Sequence, residues 1–402
     1  MIESLLSVVG QRGVDALAFL LAFALTALMD SVFHDKLPHD HGREFAVNGA
    51  LSKGKARGSG LIFVLCIALV SLAFLPFKVE YVIYTILLIA SMLSGYFDDA
   101  AETAWNEYKK GIIDFAIAIV AGVTYLNFNG CGVNFLQWSF TLPYAVYLLL
   151  IVILIWTSIN VVNCTDGVDG LSASVAVVTI GTYLLAYKTE LAEYGTAGVV
   201  FMGALLAYLW SNAKPSSLLM GDAGSRAMGF FIAMLSLKCG HPFAFLLAAI
   251  VFIVDGSLGI LKISLKRFLH ISILKNTRTP LHDHARKNKG WSDEQVVARW
   301  LIMQCVAAHC PRLKYSNQKD AWSCLNMFSR QGSIQQCIKR LLFYSSIIRY
   351  SPAFFAAACT TWPTSTEVVT VPTPPGTGVM ASTTGSASLN FTSPHSLPFS
   401  FT

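Results

Sequence analysis

Nine apolar runs constrain this chain more than any other feature, at residues 14–33, 60–77, 81–97, 112–128, 143–162, 171–187, 195–211, 227–239 and 243–265. Each is long enough to cross, or nearly cross, a hydrocarbon layer of about 30 Å. A tenth begins near 296 and stays apolar only to His309. Only 13% of the residues are charged and 54% are hydrophobic, against the roughly 25% charged of an ordinary soluble domain. The expectation is an all-α polytopic membrane helical bundle of about ten transmembrane helices. The first run follows Arg12 without a small-residue cleavage site, so it reads as a retained helix.

The connections sort into two sides. Those after runs 1, 3, 5, 7 and 9 carry sixteen Lys and Arg residues, and the opposite side, with the N-terminus, carries four. The positive-inside rule makes the basic side cytoplasmic and places the N-terminus outside. The net charge of +6 is modest, and no arginine-rich run interleaved with aromatics points to nucleic acid. The nine cysteines have no C-x-x-C spacing, so neither a zinc site nor a disulfide framework is indicated.

Every unusual polar cluster falls on the basic side. KGKARGSG (53–60) follows run 1, GYFDDAAE (95–102) run 3, NVVNCTDGVDG (160–170) run 5, LLMGDAGS (218–225) run 7 and TPLHDHARKNKGW (279–291) run 9. An aspartate at a bilayer centre costs roughly 2.5–3.5 kcal/mol, so these acids belong at helix ends facing water or a ligand. If the loops converge, one face holds Asp98, Asp99, Asp166, Asp169 and Asp222, rimmed by Lys53, Arg57, His282 and His284. Carboxylates about 6 Å apart repel by roughly 3 kcal/mol at an effective dielectric of 20, so the group wants a cation. Magnesium suits such hard oxygen ligands, with substrate phosphates and water completing its shell. Basic residues beside a carboxylate–magnesium centre fit diphosphate binding and phosphoryl transfer, and the membrane setting makes one reactant a lipid.

Each piece also has a plainer reading. Residues 160–170 could be a polar turn, Asp98 and Asp99 a solvated helix end, and Asp222 or Ser225 a helix cap. Lys53, Arg57 and the histidines taken singly are ordinary surface residues. Two other classes compete. An intramembrane aspartyl protease would need G-x-G-D, where this chain has Leu219-Met220-Gly221-Asp222. A secondary transporter would show internal repeats and charges at mid-membrane, and no repeat is visible.

Taken together, NVVNCTDGVDGL, GYFDD, MGDAGS and PLHDHARKNKGW resemble the polyprenyl-phosphate N-acetylhexosamine-1-phosphate transferase family over about residues 10–305. The last motif resembles its phospho-N-acetylmuramoyl-pentapeptide branch over its GlcNAc-1-phosphate branch. That resemblance implies ten transmembrane helices, often as a homodimer, in the bacterial plasma membrane with a magnesium-dependent cytoplasmic active site. It implies transfer of phospho-MurNAc-pentapeptide from UDP-MurNAc-pentapeptide to undecaprenyl phosphate, giving lipid I and UMP. By the same resemblance Asp222 is the magnesium ligand beside Gly221, Asp98 the base on the lipid phosphate with Asp99 its neighbour, and His282 a further catalytic residue. Asn160, Asn163, Asp166, Gly167 and Asp169 match the nucleoside-binding stretch, with Lys53, Arg57 and His284 as substrate contacts. Two positions depart from the family pattern: Leu219 stands where an aromatic often stacks on uracil, and the three consecutive histidines read His282-Asp283-His284. Asp255 lies in the middle of run 9 and calls for a polar partner.

The membrane domain is expected to occupy residues 1–309. Beyond it the apolar pattern fails, and from 360 onward 18 of 43 residues are Ser or Thr with Pro and Gly added. Residues 310–402 therefore read as an aberrant, disordered tail without a function.

Overall fold

The computed structural model describes residues 2–40, 53–101, 103, 105–135 and 138–308, so the expected tail lies outside the described residues. The helices are α1 (Ile2–Phe33), α2 (Gly60–Phe74), α3 (Val79–Asp99), α4 (Glu107–Asn129), α5 (Tyr144–Thr165), α6 (Leu171–Ala186), a short α7 (Lys188–Leu191), α8 (Gly195–Asn212), α9 (Gly221–Lys238), a short α10 (Phe245–Ala248), α11 (Ile250–Phe268), α12 (Leu281–Lys289) and α13 (Asp293–Ala307). All nine apolar runs are helical, and α13 takes up the tenth. Among the described residues five helices are by themselves long and apolar enough to cross a membrane, and the bent pair α10–α11 makes a sixth. The 15 residues of α2 rise only about 22 Å.

The helix α9 sits in the middle, packed on α2, α3, α5 and α6, and it is buried on all sides from Ala223 to Leu237. A helix apolar all round needs neighbours all round, and small residues let those neighbours come close. A Cβ on Gly60 would collide with the backbone of Gly224, one on Gly95 with the backbone of Asp222, and one on Gly229 with Ile159. Ser158 Oγ donates to Gly229 O at 2.6 Å across the α5–α9 contact. At the far end of α9, Lys238 Nζ meets Glu80 Oε1 at 2.9 Å, and Tyr84 and Asn129 donate to the same carboxylate. The central helix is thus fixed at both ends, and its first turn presents Asp222 at one mouth of the bundle.

Run 9 is not one helix. α10 and α11 meet at an 88° bend, and Gln304 of α13 occupies the break. Its side chain accepts from Val251 N at 3.4 Å and donates to Ala248 O. Backbone groups freed by a break need such a partner in a water-poor interior.

Strands are minor but one pair positions the site. β1 (Ala56–Arg57) pairs in parallel with β4 (Leu218–Leu219), with Arg57 opposite Leu219. This brings the first basic loop onto the loop that opens α9. A hairpin of β2 (Gly132–Phe135) and β3 (Trp138–Thr141) closes the other end.

Candidate functional site

Three loops and two helix ends converge on Asp222. Arg57, projected by β1, lies with Nη2 2.7 Å from Asp99 Oδ1 and 3.7 Å from Asp222 Oδ1, while Nη1 is 2.9 Å from Asp40 Oδ1. From the first turn of α4, Lys110 Nζ pairs with Asp98 and reaches Asp222 Oδ2 at 3.4 Å. Trp105 N donates to Asp98 Oδ1 at 2.7 Å, and Ala223 N to Asp99 Oδ2 at 3.3 Å. Burial alone would lower the Arg57 guanidinium, but Asp99, Asp222 and Asp40 hold it above its ordinary value, so it stays charged. Gly221 has φ +67°, and a Cβ there would run into the Asp99 carboxylate. Only glycine lets α9 begin this close to the end of α3.

The loop at 160–170 forms the next wall. Asn163 Nδ2 donates to Ser225 Oγ at 2.9 Å, one turn beyond Asp222. Asp169 Oδ2 pairs with Lys55 Nζ at 3.1 Å, and Lys55 also donates to Ser216 Oγ at 2.8 Å. Gly170 turns the chain at φ +79°, and its N–H donates to Asn212 Oδ1 at 2.8 Å. Asp166 closes α5.

The third wall is α12. His282 is buried, and Asp255 of α11 takes both its backbone N–H, at 2.8 Å, and its Nδ1, at 2.7 Å. A carboxylate accepts, so Nδ1 carries a proton. Its Nε2 faces Gly167, where a Cβ would displace it. Arg286 Nη1 donates to Gly167 O at 3.4 Å and completes the bridge from α12 to the 160–170 loop.

The structure thus brings together Asp98, Asp99, Asp222, Gly221, Arg57 and Asn163, with Asp169, Gly167 and His282 as the adjoining walls. It does not bring in Lys53, Asn160 or His284. Lys53 is exposed, whereas Lys55, directly before β1, reaches the site through Asp169 and Ser216. Asn160 Nδ2 donates back to Trp156 O of its own helix at 2.8 Å. His284 Nδ1 accepts from Arg278 N at 3.3 Å, which ties the preceding loop.

Sequence reading missed Lys110, counted only as one more basic residue, and Asp40. It also missed the buried pair of Asp114 and Arg226, in contact at 2.5 Å, with Arg226 Nη2 also reaching Lys110 O at 3.5 Å. A signal existed: Asp114 lies four residues after Lys110 and Arg226 four after Asp222, so each pair shares a helix face. The unnamed partner of Asp255 is His282.

Asp40, Asp98, Asp99 and Asp222 face Arg57 and Lys110 in this cluster. Asp222 lies 3.4 Å from Lys110 and 3.7 Å from Arg57, with its side chain 16% exposed. Among the described residues no group of three or more His, Cys, Asp or Glu side chains closes into a ligand set. Asp222 with a neighbouring carboxylate could hold magnesium, which commonly takes one or two carboxylates and completes its shell with phosphate and water oxygens.

Residues 81–240, from α3 to just past α9, match the family model described as glycosyl transferase family 4. The chain is 41% identical over 293 residues to a phospho-N-acetylmuramoyl-pentapeptide-transferase of Treponema pallidum (strain Nichols), covering 67% of this chain and 80% of the relative. Similar proteins of the same description come from Lactobacillus delbrueckii subsp. bulgaricus, 28% identical over 71% of this chain and 95% of the relative, and Clostridium botulinum (strain Eklund 17B / Type B), 27% over 72% and 93%. With a relative 41% identical over two thirds of this chain, the chain belongs to the phospho-N-acetylmuramoyl-pentapeptide-transferase family.

Proposed function

We propose that the chain is a magnesium-dependent phosphoglycosyl transferase of a bacterial plasma membrane, with its site at the cytoplasmic face. It moves phospho-MurNAc-pentapeptide from UDP-MurNAc-pentapeptide to undecaprenyl phosphate, giving lipid I and UMP for peptidoglycan synthesis. The observation that carries this reading is Asp98, Asp99 and Asp222 held between Arg57 and Lys110 at the mouth of a membrane bundle.

An oxygen of the lipid phosphate attacks the sugar-bearing phosphorus of the donor, and the bond from that phosphorus to the bridging oxygen breaks, so UMP leaves. Asp98, oriented by Lys110 and the Trp105 N–H, takes or steers the proton of the lipid phosphate. Arg57 and Lys110 face the charge that grows on the transferring group. Asp222 would hold magnesium, which supplies charge neutralisation on the diphosphate. The uridine part lies along the 160–170 loop, where Asp169 and Lys55 offer an acceptor and a donor. His282, its Nδ1 proton held by Asp255, presents Nε2 beside Gly167 to the same substrate.

The test is to incubate the membrane protein with UDP-MurNAc-pentapeptide, undecaprenyl phosphate and magnesium and to look for UMP and lipid I. UDP-GlcNAc serves as the competing donor. Turnover of UDP-GlcNAc alone would move the chain to the GlcNAc-1-phosphate branch, and no UMP from either donor would remove the proposal.

A further inference from the structure

Between Asp255 and Asp283 the chain has no acidic residue, and it carries Lys262, Lys266, Arg267, Lys275 and Arg278. The same stretch leaves large apolar side chains in the open. Phe268 is 69% exposed, Leu269 60% and Ile271 51%, and Leu274 is exposed as well. α11 ends at Phe268, and residues 270–280 are neither helix nor strand. Backbone without internal hydrogen bonds cannot lie in hydrocarbon facing lipid. A loop that faced only water would have no reason to show four apolar side chains in seven residues.

The loop is also held in shape. Lys262, nearly two turns inside α11, donates through Nζ to Leu274 O at 3.1 Å and Thr277 O at 2.8 Å. His270 and Leu274 sit at φ 55° and 50°, a region that side chains other than glycine enter only when the surroundings hold them there. Arg267 Nη1 lies 2.6 Å from Glu107 Oε2 and its guanidinium is over the Tyr108 ring, which joins the loop to the start of α4. Lys266 and Lys275 flank the apolar side chains and are exposed.

We propose that residues 266–276 lie in the headgroup layer and bind the anionic phospholipids of the surrounding bilayer. Leu269, Ile271 and Leu274 dip to the acyl boundary, and Lys266 and Lys275 sit on lipid phosphates. Apolar side chains between cations of one sign are the pattern of interfacial segments attracted to anionic lipid. The polyprenyl phosphate substrate carries a similar headgroup, so the experiment separates the two sources. The inference does not depend on the transfer chemistry.

The full chain is placed in nanodiscs of phosphatidylcholine with a minority of phosphatidylglycerol, and the association of spin-labelled phosphatidylglycerol is compared with that of labelled phosphatidylcholine. The wild-type chain should prefer the anionic label, and the preference should fall roughly fivefold for each lysine removed in Lys266→Gln/Lys275→Gln. Lys287→Gln/Lys289→Gln, which removes the same charge from α12, should keep the wild-type preference. Equal preference in the wild type and Lys266→Gln/Lys275→Gln, an equal loss in both double variants, or displacement of the label by a trace of undecaprenyl phosphate overturns the proposal. Independently, a nitroxide on Leu274→Cys should be relaxed by lipid-soluble oxygen more than by a water-soluble nickel complex. The reverse order places the loop in water and also overturns it.

Discussion

At the level of single residues the cluster separates roles that share one chemistry. Asp222 faces both Arg57 and Lys110, so Asp222→Asn keeps the shape and removes the charge that a cation needs. Turnover should fall about 10²–10³-fold, the scale of losing one preorganised electrostatic group, and half-saturation should move to higher magnesium. Asp98→Asn should lower kcat while leaving donor KM nearly unchanged, the mark of an interaction made in the transition state. Asp169→Asn should do the opposite and raise donor KM about tenfold, because it leaves Lys55 without its carboxylate. If all three variants change only donor KM, or if none alters the magnesium requirement, these assignments are wrong. Asp255→Asn belongs with them as a positioning change: it keeps an acceptor for the His282 N–H but loses the carboxylate that fixes the ring proton on Nδ1. Its kcat should drop with a shifted pH profile at unchanged folded yield, and an unaltered profile would make the contact merely structural.

Elements matter here through what they hold apart or together. The Asp114–Arg226 pair joins α4 to α9 one turn from Lys110 and Asp222, with both side chains 3% exposed. Removing one partner of such a pair strands a buried charge and costs about 3–5 kcal/mol, whereas removing both is often nearly neutral. Arg226→Leu should therefore lower Tm sharply, and Asp114→Leu/Arg226→Leu should recover much of the loss. A double variant no more stable than the single one would show that the pair is not coupled. The α10–α11 bend rests on Gln304 in a comparable way. Gln304→Leu leaves Val251 N and Ala248 O without partners, at about 1–3 kcal/mol for a buried unsatisfied group, measurable by thermal unfolding in detergent.

For the whole molecule the prediction is one of sidedness. The five polar loops meet at one end of the bundle, and the Glu80–Lys238 network closes the other. Asn288→Cys should accordingly react with a membrane-impermeant thiol reagent only from the cytoplasmic side, and Lys188→Cys only from outside. Labelling of position 288 from outside would invert the topology. Deleting residues 360–402, which lie outside the described residues and carry none of the motifs, should leave turnover per folded molecule unchanged.

The sequence by itself determined the bundle and the place of its chemistry. Apolar runs become helices in lipid because no other local structure satisfies their backbone, and charged residues collect at helix ends because burying them midway is costly. Asp98, Asp99 and Asp222 were therefore legible as one face before any contact was known. What only the tertiary structure decided is which cations serve them. Arg57 stood out by its place in an odd loop, but of Lys53 and Lys55 only Lys55 reaches an aspartate of the site, and the path of the loop before β1 decides that. Lys110 lies eleven residues from Asp99 across a loop whose path no periodicity encodes. The break in run 9 was equally hidden, since the side chain that satisfies its freed backbone groups, Gln304, is more than fifty residues away. Hydropathy is a property of each segment taken alone, and it reports what must leave water. The partner of a buried charge or a freed carbonyl is fixed by contacts between distant segments, and those exist only once the helices have packed.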